Sequence, residues 1–235
     1  MDPLPDKIKN LRGGKILDVA TGYGDFLIFL TEFFKDYDEA VGIDSSANII
    51  KAARKQWAGQ LRFETMDAGY MRFPDDYFDT VAIRHSLHHL NHVNGVLKEM
   101  MRVLKPGGLL IICEVFQDPD TDYENAQRHL HHWWAAVDRT QGEAHYETMT
   151  KQEIFEIINR AGITDRDVFE YTPELDEDMQ KKDLESMLQK CKIYLKKLRD
   201  AGDQDTLIAK GEKLIRRFKE QGFTTESALY ILGHK

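Results

Sequence analysis

The chain contains, near its N-terminus, a strand, a glycine turn and the start of a helix in direct succession: Ile16-Leu17-Asp18-Val19-Ala20-Thr21-Gly22-Tyr23-Gly24-Asp25-Phe26. The first residues are mostly β-prone and apolar, and the two glycines permit backbone angles and a close approach that a Cβ would block. Apolar residues then recur at helical spacing as far as Phe34. Such a turn leaves backbone N–H groups and the positive end of a helix facing a ligand. The stretch therefore predicts a nucleotide-type cofactor site.

The spacing of the glycines bears on which cofactor binds. A dinucleotide fingerprint would be G-x-G-x-x-G, but Leu27 occupies the third glycine position, which weakens an NAD interpretation. The next apolar strand, Ala40-Val41-Gly42-Ile43-Asp44, ends in an acid about 20 residues beyond the glycines, where ribose hydroxyls are expected. An NAD-dependent reductase stays open as an alternative.

Three stretches resemble one family. Residues 18–25 resemble motif I of the class I S-adenosylmethionine-dependent methyltransferases, usually acid-x-G-x-G-x-G, with Ala20 in place of the first glycine. This run is especially similar to the ubiquinone/menaquinone biosynthesis C-methyltransferases. His88-His89-Leu90 and the proline-glycine turn and apolar run of residues 104–114 resemble two further signatures of the family. The resemblance covers residues 13–116 and implies S-adenosyl-L-methionine as the cofactor.

The resemblance also implies the cofactor-binding residues. The turn would hold the methionine end of the cofactor, Asp44 both ribose hydroxyls, and Asp67 with Ala68 the adenine. The full predicted set is Asp18, Ala20, Thr21, Gly22, Gly24, Asp44, Ser45, Asp67, Ala68, Arg84 and His85. The alternative is a tight turn with surface acids in some other doubly wound protein.

Alternating strands and helices predict an α/β fold with a doubly wound, mostly parallel sheet. The resemblance implies seven strands in a Rossmann-like order. Alternation of apolar residues predicts the last strand at 223–232, and the resemblance implies that it is antiparallel to its neighbours. Ligands of such sheets bind at the carboxyl ends of the strands. The predicted cofactor-binding residues all follow strand ends, which makes the interpretation consistent.

We predict a single methyltransferase domain over residues 1–235 with two insertions. Residues 117–149 resemble the substrate-facing insertion of the family, and residues 173–222 predict an amphipathic helical pair between the last two strands, broken near Gly202. This pair is either a solvated elaboration or a lid or dimer arm, so a homodimer stays open. Substrate contacts are predicted at Glu114, Trp133 and Trp134, and proton transfer at His89, His132 or His145.

Histidines cluster at His129, His131 and His132, with His145 further along the chain. Histidine alone does not define a metal site, because geometry and supporting carboxylates decide it. A role in a substrate pocket or in aromatic packing is the alternative interpretation. We therefore predict no metal.

Composition limits the partners and the compartment. The 235 residues carry a formal net charge of −8, which argues against a phosphate-binding surface for nucleic acid. Two cysteines, no targeting signal and no membrane-spanning run predict a cytoplasmic protein away from membranes. The expected function is methyl transfer to a small acceptor, such as a flat phenol or quinol. A non-catalytic protein that binds S-adenosylmethionine or a partner is the alternative.

Overall fold

The computed structural model describes residues 2–59, 61–117, 122–174, 176–202, 204–221 and 225–235, without the side chains of 122–126 and 221. The chain divides into two compact units. The sheet unit comprises Asp2–Glu114, Gln152–Tyr171 and Ala228–Lys235, and the helical unit comprises Val115–Lys151 and Thr172–Ser227. No helix in these described ranges is both long and apolar enough to cross a membrane.

The strands form a mixed sheet whose main path runs β3-β2-β1-β4-β5-β8-β7. The described strands are β1 (Arg12–Val19), β2 (Asp36–Asp44), β3 (Arg62–Thr65), β4 (Phe78–Arg84), β5 (Leu104–Gln117), β6 (Met149–Thr150), β7 (Thr164–Tyr171) and β8 (Ala228–His234). Strands β1 to β5 pair in parallel, and β6 pairs with the last two residues of β5. The predicted doubly wound, mostly parallel fold is confirmed.

Helices follow most of the strands, as the alternating pattern predicts. The described helices are α1 (Leu4–Ile8), α2 (Asp25–Phe33), α3 (Ala47–Gln56), α4 (Val93–Val103), α5 (Asp122–Thr140), α6 (Lys151–Arg160), α7 (Glu177–Ala201) and α8 (Asp205–Gln221), with a 3-10 turn at Leu87–His89. Ser46 caps α3 by accepting the backbone N–H of Ile49. The apolar faces of α2, α3 and α4 are buried, which anchors the loops before these helices.

The register brings the carboxyl ends of the parallel strands to one edge. Val19, the last residue of β1, lies beside Ile43 of β2 and Ile83 of β4. Strands β4 and β5 are buried almost throughout, as expected for parallel strands covered on both faces. The loops after β1, β2, β3 and β4 therefore emerge at the same edge of the sheet.

The last strand differs from the prediction. It spans Ala228–His234 rather than 223–232, and its burial is continuous rather than alternating. Residues 222–224 lie outside the described residues. Since β8 lies between β5 and β7, both its faces are covered and both its edges are paired. Strand β8 pairs with β7 in the antiparallel direction. The Gly107 N–H donates to the carbonyl of Lys235, and the Lys235 N–H donates to the carbonyl of Gly108, so β8 also runs antiparallel to β5.

The helical unit has its own apolar core. Helices α5, α7 and α8 contribute Leu130, Trp133, Cys191, Leu195 and Phe218, all buried. Helix α7 ends at Ala201, Gly202 follows with φ 69°, and α8 begins at Asp205. Helices α7 and α8 thus fall within the stretch predicted as a helical pair, on either side of Gly202.

Candidate active site

The loop after β1 depends on three residues in the left-handed region. Ala20, Gly22 and Gly24 have φ of 54°, 56° and 90°. A Cβ on Gly24 would lie 2.5 Å from the Phe63 ring, so this glycine is needed for space as well as for conformation. A Cβ on Gly22 would meet nothing within 4 Å. The backbone at Gly22 is therefore open to a ligand, whereas Gly24 serves the packing of the loop.

Asp18 and Thr21 hold the loop from below. The Thr21 hydroxyl donates to Asp18 Oδ2 at 2.6 Å, and the Thr21 N–H donates to the carbonyl of Ile43 at 2.9 Å. Asp18 is only 1% exposed, and this burial raises the pKa of its carboxyl to about 7, opposed by the Thr21 hydrogen bond and the charge of Arg84. The carboxyl can therefore change its charge near neutral pH.

Asp44 joins the loop to the end of β2. Its Oδ2 accepts the N–H of Gly22 at 3.2 Å, and its Oδ1 accepts the N–H of Ser46 at 2.9 Å. A carboxylate can accept about four hydrogen bonds, so each oxygen retains an acceptor site. Ser45, between the two, is exposed. The Asp44 side chain is thus fixed in orientation, and its two oxygens can still accept hydrogen bonds from two hydroxyl groups.

Asp67 and Ala68 lie on the turn after β3. Asp67 is exposed, and its Oδ1 accepts the N–H of Gly69 at 2.8 Å. The neighbouring Met66 N–H donates to the carbonyl of Asp44 at 2.9 Å, which ties this turn to the end of β2. Asp67 therefore stands at the same edge as Asp44.

Arg84 is the last residue of β4, and His85 follows it. The Arg84 guanidinium lies 5.3 Å from the centre of the Phe26 ring, at the start of α2. His85 has φ 47°, and its N–H donates to the carbonyl of Cys113 at 2.7 Å. All eleven residues predicted to bind the cofactor thus belong to the sheet unit, and each lies at the carboxyl end of β1, β2 or β4 or in the loop after β1, β2, β3 or β4.

Glu114 anchors the next loop. It is fully buried, and its Oε2 accepts the N–H groups of Ser86 and Leu87 at 3.1 and 2.7 Å. Its Oε1 lies 2.7 Å from His88 Nδ1, whereas His89 is exposed beside it. No local pattern in the sequence indicates this pairing, because the partners are 26 residues apart. These contacts give Glu114 a positioning role.

The remaining predicted residues belong to the helical unit. His132 Nε2 lies 3.1 Å from the Thr148 hydroxyl, and burial lowers the pKa of His132 to about 4 against the opposing charge of Glu147. Trp133 is fully buried in the helical core and donates Nε1–H to the carbonyl of Leu207 at 2.8 Å. This contact makes Trp133 a packing residue.

Two other predicted residues of this unit are in polar surroundings. Lys190 Nζ lies 3.9 Å from the centre of the Trp134 ring. His145 is buried, and its Nδ1 lies 2.8 Å from Asp138 Oδ2. Asp138 is a further polar residue that the sequence did not single out.

Comparisons with known proteins agree with the motif geometry. Residues 17–112 match the family model described as a methyltransferase domain. The ubiquinone/menaquinone biosynthesis C-methyltransferase of Stutzerimonas stutzeri is 38% identical over 107 residues, covering 43% of this chain and 42% of that protein. The demethylmenaquinone methyltransferase of Lysinibacillus sphaericus is 36% identical over 118 residues, covering 49% of this chain and 50% of that protein. The chain thus spans half or less of these relatives.

Solved structures extend the likeness in fold over nearly the whole chain. The YcgJ protein of Bacillus subtilis superposes with a TM-score of 0.64 at 18% identity, covering 99% of this chain and 96% of that one. The phosphoethanolamine N-methyltransferase 2 of Haemonchus contortus, solved with S-adenosyl-L-methionine, gives 0.61 at 19% identity, with 98% and 50% covered. Residues 17–112, which contain the loop after β1, are thus similar in sequence to a methyltransferase domain.

Proposed function

We propose that this protein transfers a methyl group from S-adenosylmethionine to a small, flat acceptor with a phenol-like or quinol-like ring. The observation that supports the cofactor most directly is the open backbone at Gly22 next to the Asp44 carboxylate. The acceptor class is supported by the names of the aligned quinone-pathway relatives and by the aromatic and histidine residues of α5.

The residues of the sheet unit fit the proposed cofactor. The open loop at Gly22 leaves room for the methionine end, and Asp44 keeps two acceptor sites for the two ribose hydroxyls. Asp67 is exposed and can accept from an exocyclic amine. Each group is held by backbone hydrogen bonds, so little orientation freedom is lost on binding.

When bound, S-adenosylmethionine supplies a methyl group on a positively charged sulfur that a nucleophile can displace. The chain's part is to orient the reactants and, for a phenol-like acceptor, to take up a proton. In the sheet unit, His89 is the exposed candidate for that step, next to the buried His88–Glu114 pair. In this proposal Glu114 positions the loop and does not contact the acceptor.

Calorimetric titration of the protein with S-adenosylmethionine and S-adenosylhomocysteine tests the cofactor. Asp44→Ala removes two charge-assisted acceptor sites, and we expect at least tenfold weaker binding, since such bonds contribute about 1.5–3 kcal/mol each. Asp38→Ala is the matched control, because Asp38 is an exposed acid at the other end of the same strand. Equal affinities of Asp44→Ala and Asp38→Ala would remove Asp44 from the site.

The transfer itself is tested with methyl-labelled S-adenosylmethionine and a set of phenols, quinols, thiols and amines. We expect label to appear in the phenols or quinols and not in the thiols and amines. Tight binding of the cofactor without label in any acceptor would instead support a non-catalytic binding protein.

A further inference from the structure

The helical unit contains a cleft that the cofactor site does not use. We call it the Glu226 cleft; its wall includes Phe116, Gln127, Arg128, Thr148 and Glu226, all in this unit. Its volume is about 30 Å³. That space admits one or two groups the size of a water molecule, such as the hydroxyl end of a larger ligand.

Gln127 supplies an unsatisfied acceptor in this wall. The residue is 9% exposed, and its Oε1 is buried without a hydrogen-bond partner among the described residues. A buried polar atom without a partner is destabilising, so a structure keeps one only where something else compensates it. A donor on a ligand in the cleft would satisfy this oxygen.

A buried chain of side chains leads away from Glu226. Glu226 Oε1 lies 3.4 Å from His131 Nδ1, and His131 Nε2 lies 3.1 Å from His145 Nε2. His145 Nδ1 lies 2.8 Å from Asp138 Oδ2, which also accepts the Tyr194 hydroxyl at 2.8 Å. Both histidines and Asp138 are less than a tenth exposed. Glu226, His131, His145 and Asp138 thus form one continuous relay, and Tyr194 is bound at its far end.

The order of donors along the relay leaves a place for one more proton. Because Asp138 is an acceptor, His145 donates from Nδ1 and presents a lone pair at Nε2. His131 must then donate from Nε2, which leaves the lone pair of its Nδ1 facing the Glu226 carboxylate. With both imidazoles neutral, the Nδ1 lone pair of His131 and the Glu226 carboxylate are both able to accept a proton. A proton arriving at this point would convert the contact into a charge-assisted hydrogen bond.

The charges around the cleft select the ligand class. Glu226 disfavours a ligand that enters the cleft as an anion, and Arg128 in the same wall disfavours one that enters as a cation. Proton transfer inside the cleft leaves the summed charge of ligand and protein unchanged. The ring of Phe116, with Lys151 Nζ 4.5 Å from its centre, favours an aromatic partner. A neutral aromatic ring with a hydroxyl group meets all of these conditions, because it supplies a donor to Gln127 or Glu226.

We propose that the Glu226 cleft binds a phenol by its hydroxyl end and that Glu226 and His131 take up the hydroxyl proton. The O–H bond breaks, its electron pair stays on the ligand oxygen, and the proton passes through the Glu226 carboxylate to Nδ1 of His131. The resulting imidazolium is stabilised by Glu226 directly and by Asp138 through His145. The binding and ionisation of this phenol are measured without the cofactor and do not rest on the proposed function.

Para-nitrophenol is a suitable probe, because its anion has a visible absorption band that the neutral form lacks. The full chain is titrated without cofactor, at a pH where the free phenol is protonated. We expect the bound probe to show the anion band, and para-nitroanisole, which has no hydroxyl, to bind at least tenfold more weakly. Equal binding of the two compounds, or no binding of the phenol, would overturn the proposal.

Two variants separate binding from ionisation. Gln127→Leu should weaken para-nitrophenol binding about tenfold, with exposed Gln141→Leu on the same stretch of chain as its control. Glu226→Gln should remove the anion band while bound probe remains, with exposed Glu185→Gln as its control. An unchanged band in Glu226→Gln would contradict the relay. Calorimetric binding of S-adenosylmethionine should be unchanged in both variants, so failure here is distinct from failure of the cofactor assignment.

Discussion

Binding of S-adenosylmethionine should drive a proton off Asp18. Burial raises the pKa of this carboxyl from 3.8 to about 7, so it is about half protonated at pH 7 in the free protein. The methionine end of the proposed cofactor carries an ammonium group, and a cation near the loop favours the ionised carboxylate. The pKa of Asp18 should therefore fall on binding.

The size of the effect follows from linkage. With the carboxyl fully ionised in the complex, about half a proton is released per cofactor bound at pH 7. Affinity is lost as the pH falls through 7, because the ligand must then displace a proton. Between pH 8 and pH 6 the loss should be about tenfold, or about 1.4 kcal/mol.

Calorimetry in two buffers of different ionisation enthalpy measures the released protons directly. Asp18→Asn is the variant control, because an amide still accepts from the Thr21 hydroxyl but does not titrate. Adenosine is the ligand control, since it lacks the ammonium group. Subtracting the number of protons that Asp18→Asn releases also removes the contribution of the cofactor's own amine.

Equal proton release by wild type and Asp18→Asn at pH 7 would refute the coupling between cofactor binding and ionisation of Asp18. Equal proton release on binding of adenosine and of S-adenosylmethionine would refute it as well. Either result would mean that the cofactor's charge is not coupled to the buried carboxyl. Asp18 would then act only as a support for Thr21.

Three further predictions concern backbone strain and pH. Gly24→Ala should lower the free energy of unfolding by about 3 kcal/mol because of the clash with Phe63, whereas Gly22→Ala should lower it by only about 1 kcal/mol; similar losses in denaturant titrations would contradict the space argument. Ala20→Gly should stabilise the fold by up to about 1 kcal/mol, since φ 54° is strained for alanine. Burial lowers the pKa of His132 from 6.5 to about 4, so the unfolded chain binds more protons in that window. Stability should fall from pH 6.5 to pH 4, and less so in His132→Gln.

The sheet unit was predictable because its signals are local. Residues 16–26 specify strand, turn and helix within eleven positions, and the positive φ at Gly22 and Gly24 follows from their lack of a Cβ. The strand order came from the family resemblance rather than from periodicity. The prediction of alternating burial in β8 was wrong, because the position of β8 between β5 and β7 is set by the tertiary fold and not by the local sequence.

The polar chains were not predictable in the same way. Glu114 contacts His88, 26 residues away in the chain, and His131 contacts Glu226, 95 residues away. No pattern in the sequence ties such partners together, since side-chain contacts between distant segments depend on the completed fold. On an isolated helix His131 is separated from the face shared by His129 and His132, and its role becomes visible only with His145 in place.

The two units place different demands on their residues. In the loop after β1, Gly22 and Gly24 have positive φ and admit few replacements without strain. In the Glu226 cleft side chains from distant segments supply the wall, and Gln127 and Thr148 can change without altering a strand or a turn. A change of ligand is therefore physically easier at the cleft than at the loop. On this argument, replacing Gln127 with a donor such as lysine should shift the preferred ligand from a hydroxyl donor toward a carbonyl acceptor, while the affinity for S-adenosylmethionine stays the same.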